Sequence, residues 1–140
     1  MSKLSSVRSL FAVIAAALAL QPVTAREPTG VRYDEIPAGA YAVVAEVRAR
    51  KGKEHELRKA TLILVSKVRA EPNNLLYFLH EDREAPGHFV FYEIFASKAD
   101  FDAHNATPHV QAWFAKLPAL AEGGVNVVRM EILGNRTGAL

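Results

Sequence analysis

The segment His88–Phe95 has mainly apolar side chains on both faces, and this limits the folds open to the chain. Successive side chains of a strand point to opposite sides, so every second residue shares a face. One face carries His88, Val90, Tyr92 and Ile94, and the other carries Phe89, Phe91, Glu93 and Phe95. Because neither face is polar overall, we expect a strand that is covered by protein on both sides.

Two helix starts follow this strand. The first helix is predicted over Ser97–Asn105, because a serine followed three residues later by Asp100 is a variant of the capping box. The second is predicted over Pro108–Ala121, where Thr107 can cap the helix and a proline loses no hydrogen bond at the first position. We expect Pro118 to kink or shorten the last turn of this second helix.

The remaining segments complete a β-α-β-β-α-β order. Helical periodicity predicts a helix over Lys53–Ala70. Apolar alternation predicts strands over Tyr41–Ala49, Leu75–Glu81 and Val125–Leu133. We expect Gly123-Gly124 to end the second helical segment. The order predicts an α+β fold of the ferredoxin-like type, with a four-stranded antiparallel sheet.

The sheet of such a fold has helices on one face only. The strands Leu75–Glu81 and His88–Phe95 are apolar on both faces, so their second face is not suited to solvent. Burying that face against a copy of itself is the simplest solution, because a twofold interface is self-complementary. We therefore expect a homodimer joined through its sheets, a dimeric α+β barrel.

Residues 1–25 have the three parts of a secretory signal peptide. Lys3 and Arg8 precede the apolar run Leu10–Leu20, and small residues lead to Ala25, after which we expect cleavage. The run is too short for an ordinary membrane-spanning helix, and an uncleaved membrane anchor is the alternative. The pattern predicts an exported protein, periplasmic or secreted, with no stable membrane insertion after cleavage.

The rest of the chain is predicted to hold one domain. Residues 26–39 are expected to be an N-terminal arm or linker, residues 40–134 the ferredoxin-like domain, and residues 135–140 a flexible tail. Without residues 1–25, which hold two of the 17 Lys and Arg side chains, 15 basic residues balance 15 acidic ones. This balance predicts no nucleic-acid partner. The sequence has no cysteine, which excludes disulfides, thiol catalysis and zinc–cysteine sites.

Two histidines are the sharpest candidates for chemistry. His104 and His109 flank the predicted break between the two helices, where side chains can reach a pocket. An imidazole titrates near neutral pH and can act as a general base or as a hydrogen-bond donor to a phenolic substrate. The alternative is structural, with His109 bonded to backbone groups and His104 half exposed.

Aromatic side chains supply candidate pocket walls. Trp113, Phe95 and Tyr77 offer the flat apolar surface that holds aromatic ligands, although aromatics at such spacing are also typical of a core. Glu93 is a carboxylate inside an apolar strand and needs a partner. The structural alternative is a salt bridge with Arg48 or Arg129 on a neighbouring strand. We include Glu93 with Trp113, Phe95 and Tyr77 among the candidate substrate-binding residues, and it is the next candidate base if neither histidine is the proton acceptor.

A metal site is the weaker hypothesis. His80 and His88 end and begin adjacent strands and could approach each other. A site would need three or four converging ligands, and no spacing typical of metal ligands supports one. We therefore expect no metal site.

Three short motifs carry a family resemblance. Tyr92-Glu93-x-Phe95-x-Ser97, Ala103-His104 and Thr107-Pro108-His109 resemble the antibiotic biosynthesis monooxygenase (ABM) domain, in particular its quinol monooxygenase branch. The resemblance covers about Tyr41 to Leu133. It implies a ferredoxin-like domain that dimerises through its sheets and oxidises a small aromatic or quinol substrate without a metal or organic cofactor. It also implies His104 or His109 as the proton acceptor, beside a pocket.

The sequence departs from related haem-degrading enzymes of the same fold. Those enzymes use an asparagine on the first strand and a tryptophan, whereas Val43–Arg48 contains no asparagine and Phe95 stands where the tryptophan ends the third strand. The departure argues against haem degradation. It leaves two hypotheses: an exported, cofactor-independent monooxygenase, or a non-catalytic dimeric domain that binds a ligand or serves in stress responses.

Overall fold

The computed structural model describes residues 35–133. The predicted signal peptide, residues 26–34 of the arm and the tail from Gly134 onward lie outside the described residues. Within residues 35–133, no helix is long and apolar enough to cross a membrane.

The described chain has the predicted element order, with one additional short helix. The elements are β1 (Tyr41–Ala49), α1 (Glu54–Arg69), β2 (Asn74–Glu81), β3 (His88–Phe95), α2 (Lys98–Ala106), α3 (Pro108–Phe114), α4 (Leu117–Leu120) and β4 (Ala121–Glu131). The strands form one antiparallel sheet in the order β2-β3-β1-β4. The α+β ferredoxin-like prediction is therefore confirmed.

The strand register assigns the two faces of β3. Ala45 of β1 lies opposite Phe91, and both are buried in the core that α1 and α3 complete. Tyr92 lies on the other face, opposite Val44, and is only partly buried. Phe91 therefore faces the helices, and Tyr92 faces away from them.

The prediction of one helix over Pro108–Ala121 was wrong in its length, whereas the shortening expected at Pro118 is confirmed. The helix ends at Phe114, and a separate four-residue helix follows. Pro118 has no N–H to donate to the carbonyl four residues earlier, so a regular helix cannot continue through it. The chain tightens instead, with the Lys116 N–H donating to the Trp113 carbonyl at 3.0 Å. This break leaves Trp113 and Phe114 at the end of α3, over the sheet.

The role predicted for Gly123-Gly124 was also wrong. The two glycines lie inside β4, which begins four residues earlier than expected. Val47 pairs with Val125, but Arg48 pairs with Glu122, so the glycines are extra residues at a bulge. Their φ angles of 68° and 77° lie in the left-handed region, which glycine enters without strain.

Candidate active site

Helix α2 carries His104 and is fixed at its start. The Ser97 hydroxyl accepts the Asp100 N–H at 3.2 Å and donates to the Asp100 carboxylate at 2.5 Å, as the capping box predicts. Asn73, in the turn before β2, also donates to that carboxylate at 2.8 Å. These contacts hold α2 against the sheet, and His104 is only 6% exposed.

Glu71 joins the two candidate histidines. It lies in the turn after α1, and its side chain is 9% exposed. His104 Nδ1 is 2.8 Å from Oε2 of Glu71, and His109 Nε2 is 2.5 Å from Oε1. The histidines therefore do come together, and the carboxylate of Glu71 joins them.

This arrangement fixes the tautomer of His104. A carboxylate only accepts hydrogen bonds, so the proton of the neutral ring must be on Nδ1. The free electron pair is then on Nε2, which lies 4.0 Å from Oε2 of Glu93. Held in this way, His104 presents its basic Nε2 to a ligand atom placed beside Glu93.

Glu93 is a buried carboxyl group without the predicted partner. It is 5% exposed, and its Oε2 has no hydrogen-bond partner. The predicted ion pair was wrong, because neither Arg48 nor Arg129 lies within ion-pair distance of it among the described contacts. Arg48 pairs with His88, which places its exposed side chain on the opposite face of the sheet from Glu93. Arg129 shares the face of Glu93, but Val43 of β1 lies between them.

Burial shifts the pKa values of Glu93 and His104 in opposite directions, and each shift favours the uncharged form. Loss of solvent, and secondly the charge of Glu71, raise the pKa of Glu93 to about 8, so it is mainly protonated at neutral pH. Loss of solvent also lowers the pKa of His104, although its hydrogen bond to Glu71 opposes this. The pair is therefore a neutral acid beside a neutral base, which is an arrangement suited to proton transfer.

Both groups face a small cavity between the sheet and the helices. The cavity has a volume of about 40 Å³. Its walls include Tyr77, Phe91, Glu93, His104, Asn105 and Trp113. The Trp113 N–H donates to the Thr61 hydroxyl at 3.1 Å, which fixes the indole as a wall. Burial, with the charge of Glu93 second, raises the pKa of Tyr77, so its hydroxyl stays protonated.

Two predicted residues lie outside this cavity. Phe95 is fully buried, and the centroids of its ring and the His104 ring are 4.9 Å apart. Phe95 therefore packs against the histidine and does not line the cavity. His109 lies beyond Glu71 and is 21% exposed. Sequence reasoning missed Glu71 and Asn105; a glutamate directly before Pro72 offered no local sign of its contacts.

A larger groove lies beside the cavity. The groove has a volume of about 550 Å³. Five residues line both spaces: Phe101, Asn105, Phe114, Val125 and Val127. The cavity and the groove are therefore adjacent and share walls, and the acid–base pair lies on the cavity side.

The other two histidines of the sheet do not meet. His80 is exposed and contacts the Val90 carbonyl at 3.3 Å, whereas His88 contacts Asp82 at 3.2 Å and Glu46 at 3.4 Å. Within the described part of the chain, no group of three or more potential metal ligands is arranged around a common point.

This chain is similar in sequence to known monooxygenase-family proteins. The family model described as "Antibiotic biosynthesis monooxygenase" matches residues 40–116. A Bacillus subtilis protein named "Putative monooxygenase YcnE" is 32% identical over 88 residues, which are 63% of this chain and 93% of that protein. An uncharacterised Synechocystis protein is 26% identical over 78 residues, or 56% of this chain. The chain spans about half, 53%, of that relative's length.

Solved structures show the same fold. A crystal structure described as an antibiotic biosynthesis monooxygenase is 31% identical, with a TM-score of 0.63 over 66% of this chain and 98% of that chain. The protein PA3566 from Pseudomonas aeruginosa is 26% identical, with a TM-score of 0.66 over 69% and 97%. With more than half of its length matched by the family model, this chain belongs to the antibiotic biosynthesis monooxygenase family.

Proposed function

We propose that this protein is a monooxygenase that oxidises a quinol or a related aromatic hydroxyl compound with molecular oxygen, without a bound cofactor. One observation carries the proposal: Nε2 of His104 and Oε2 of Glu93 face the same cavity, 4.0 Å apart. Family membership and the named relatives support a monooxygenase in general. The acid–base pair supports an aromatic hydroxyl as the reacting group.

The spacing of the pair suits a single substrate oxygen. An oxygen placed at a hydrogen-bond distance of about 2.8 Å from each atom fits between two atoms that are 4.0 Å apart. Such a hydroxyl would donate its proton to His104 and accept the proton of Glu93. A neutral carboxyl group beside the developing anion stabilises it without adding a second negative charge.

The substrate itself supplies the electrons. His104 Nε2 takes the hydroxyl proton, and the quinolate reduces oxygen. A quinol and one O₂ then give one hydroxyquinone and one water, so atoms and electrons balance without an added reductant. The aromatic walls, including Phe91 and Trp113, exclude water from the anion.

Turnover is tested by oxygen uptake with a panel of quinols. The parent should consume oxygen faster than the spontaneous rate with at least one quinol. Replacing His104 by Ala should slow turnover by about 100- to 10,000-fold while the fold is kept. The matched control is His55→Ala, an exposed histidine of α1, which should keep the parent rate. If the parent gives no uptake with any quinol, the non-catalytic binding domain becomes the better account.

Export and dimerisation belong to the same proposal. The charged start, the apolar run Leu10–Leu20 and Ala25 support cleavage to a mature protein that begins at Arg26. Mass spectrometry of the exported protein tests this; an intact Met1 terminus in a membrane fraction would contradict it.

The side chains of Phe78 and Val128 are 47% and 48% exposed and leave apolar surface on the sheet, which supports a homodimer.

A further inference from the structure

The groove outside the acid–base cavity carries two arginines and no acidic residue. Arg50 and Arg129 line it, and its other walls are apolar apart from Asn105 and the two glycines of the β4 bulge. A guanidinium group is always charged, so the groove has positive charge at any pH of interest. Pockets of this composition bind apolar ligands and use a few polar groups to fix orientation.

Arg50 is held in place by helix α4. Its backbone N–H donates to the Leu120 carbonyl at 2.9 Å, and its Nε donates to the Pro118 carbonyl at 3.2 Å. These bonds leave the two terminal NH₂ groups of the guanidinium for a ligand. No carboxylate is paired with Arg50 in the described part of the chain.

Arg129 lies on β4, opposite Val43 of β1. Among residues 35–133 no ion pair is formed by Arg129. The charge of Arg129 acts on Lys98, whose own ammonium group is paired with Asp102. Both guanidinium groups of the groove are thus free of acidic partners within the described residues.

From this arrangement we propose that the substrate is an aromatic hydroxyl compound with an anionic substituent, such as a carboxylate or a sulfonate. The inference rests on the proposed function, because it places the reacting hydroxyl between His104 and Glu93. The ring then points along the shared walls Phe114 and Val127, and the anionic group reaches Arg129, because Val43 pairs with both Glu93 and Arg129 in the sheet. Arg50 lies seven residues further along the chain than Val43, about 23 Å at about 3.3 Å per residue, so the same anionic group cannot reach it. A guanidinium matches the two oxygens of such a group with parallel hydrogen bonds.

The test is anaerobic binding, which requires no turnover. We would titrate the protein with 1,4-naphthoquinone-2-sulfonate and with uncharged 1,4-naphthoquinone by calorimetry. The sulfonate should bind about tenfold more tightly, and the difference should shrink at high salt because exposed charges are screened. Arg129→Gln should weaken binding of the sulfonate about threefold to tenfold and leave binding of the uncharged quinone unchanged. Arg50→Gln, at the far end of the groove, should change the affinity for the sulfonate less than about twofold. Arg129→Lys should restore part of the preference.

The control is Arg48→Gln, an exposed arginine of β1 outside the groove, which should change neither affinity. Equal affinity of the parent for the two quinones would overturn the inference, as would an equal loss for both ligands in Arg129→Gln. A charge preference without oxygen uptake would contradict the monooxygenase proposal alone. Uptake with equal preference for charged and uncharged quinols would contradict the anionic substrate alone.

Discussion

Replacing Glu93 by Gln should change how stability depends on pH. The folded protein holds the Glu93 proton until about pH 8, whereas a glutamate in the unfolded chain loses it near 4.5. Between these values the folded state binds one more proton than the unfolded state, so the free energy of unfolding falls as the pH rises. The difference corresponds to on the order of 4–5 kcal/mol, at about 1.36 kcal/mol for each pH unit. This is a large part of the free energy of unfolding of a typical domain, which is about 5–15 kcal/mol.

Urea unfolding at several pH values between about 5 and 9 measures this effect. Gln has nearly the shape of protonated Glu and cannot ionise, so the variant should lack the fall. Its stability relative to the parent should rise steadily across the window and level off above about pH 8. Glu122→Gln, on an exposed position of β4, is the matched control and should run parallel to the parent. Parallel curves for the parent and Glu93→Gln would refute the reasoning, because they would mean that Glu93 ionises at an ordinary pKa.

The same groups should shape the pH dependence of turnover. His104 has a lowered pKa, so kcat/KM should fall only at pH values below the ordinary 6.5, where the ring becomes protonated and cannot accept the substrate proton. At the alkaline end the rate should fall through about pH 8, as Glu93 loses the proton that stabilises the anion. Glu93→Gln should remove this alkaline fall. A profile with the alkaline fall unchanged in the variant would assign it to another group.

Three further changes have defined outcomes. Glu71→Gln should lower kcat about 10- to 100-fold. It should also shift both ends of the pH–rate profile to lower pH, because the Glu71 charge raises the pKa of both His104 and Glu93; an unchanged kcat would contradict the role of Glu71. Trp113→Ala should cost about 3–5 kcal/mol of stability in urea unfolding and weaken quinone binding, since the indole is buried and forms a wall. Phe78→Asp should convert a dimer to monomers in light scattering, whereas Leu62→Asp, at a similarly exposed apolar position on α1, should not. A parent that is monomeric at micromolar concentration would contradict the dimer.

The fold could be predicted because its signals are local. Alternation along His88–Phe95 marks a strand, and the Ser97–Asp100 capping box starts α2 with contacts three residues apart. The bulge at Gly123-Gly124 could not be predicted in this way. The same dipeptide can end a helix or enter a strand, and the choice depends on pairing with Arg48, far away in the chain.

The site was predicted in part for the same reason. His104 stood out because it follows a helix start and precedes a break. Glu71 did not, since its partners are 33 and 38 residues away and only the packing of α2 and α3 against the turn after α1 brings them to it. The missing partner of Glu93 was also a property of packing. The register places Arg48 on the opposite face of the sheet, whereas Arg129 shares the face of Glu93 but is two strands away, beyond Val43.

The central claim is that His104 removes a proton from an aromatic hydroxyl beside a neutral Glu93. Anaerobic titration with 4-nitrophenol tests it directly, because the phenol and the phenolate absorb at different wavelengths and the compound is not oxidised. At a pH below the ligand's own pKa, the parent should bind it as the phenolate, and His104→Ala should bind it only as the neutral phenol. Binding of the neutral phenol by the parent, or of the phenolate by both proteins, would contradict the account.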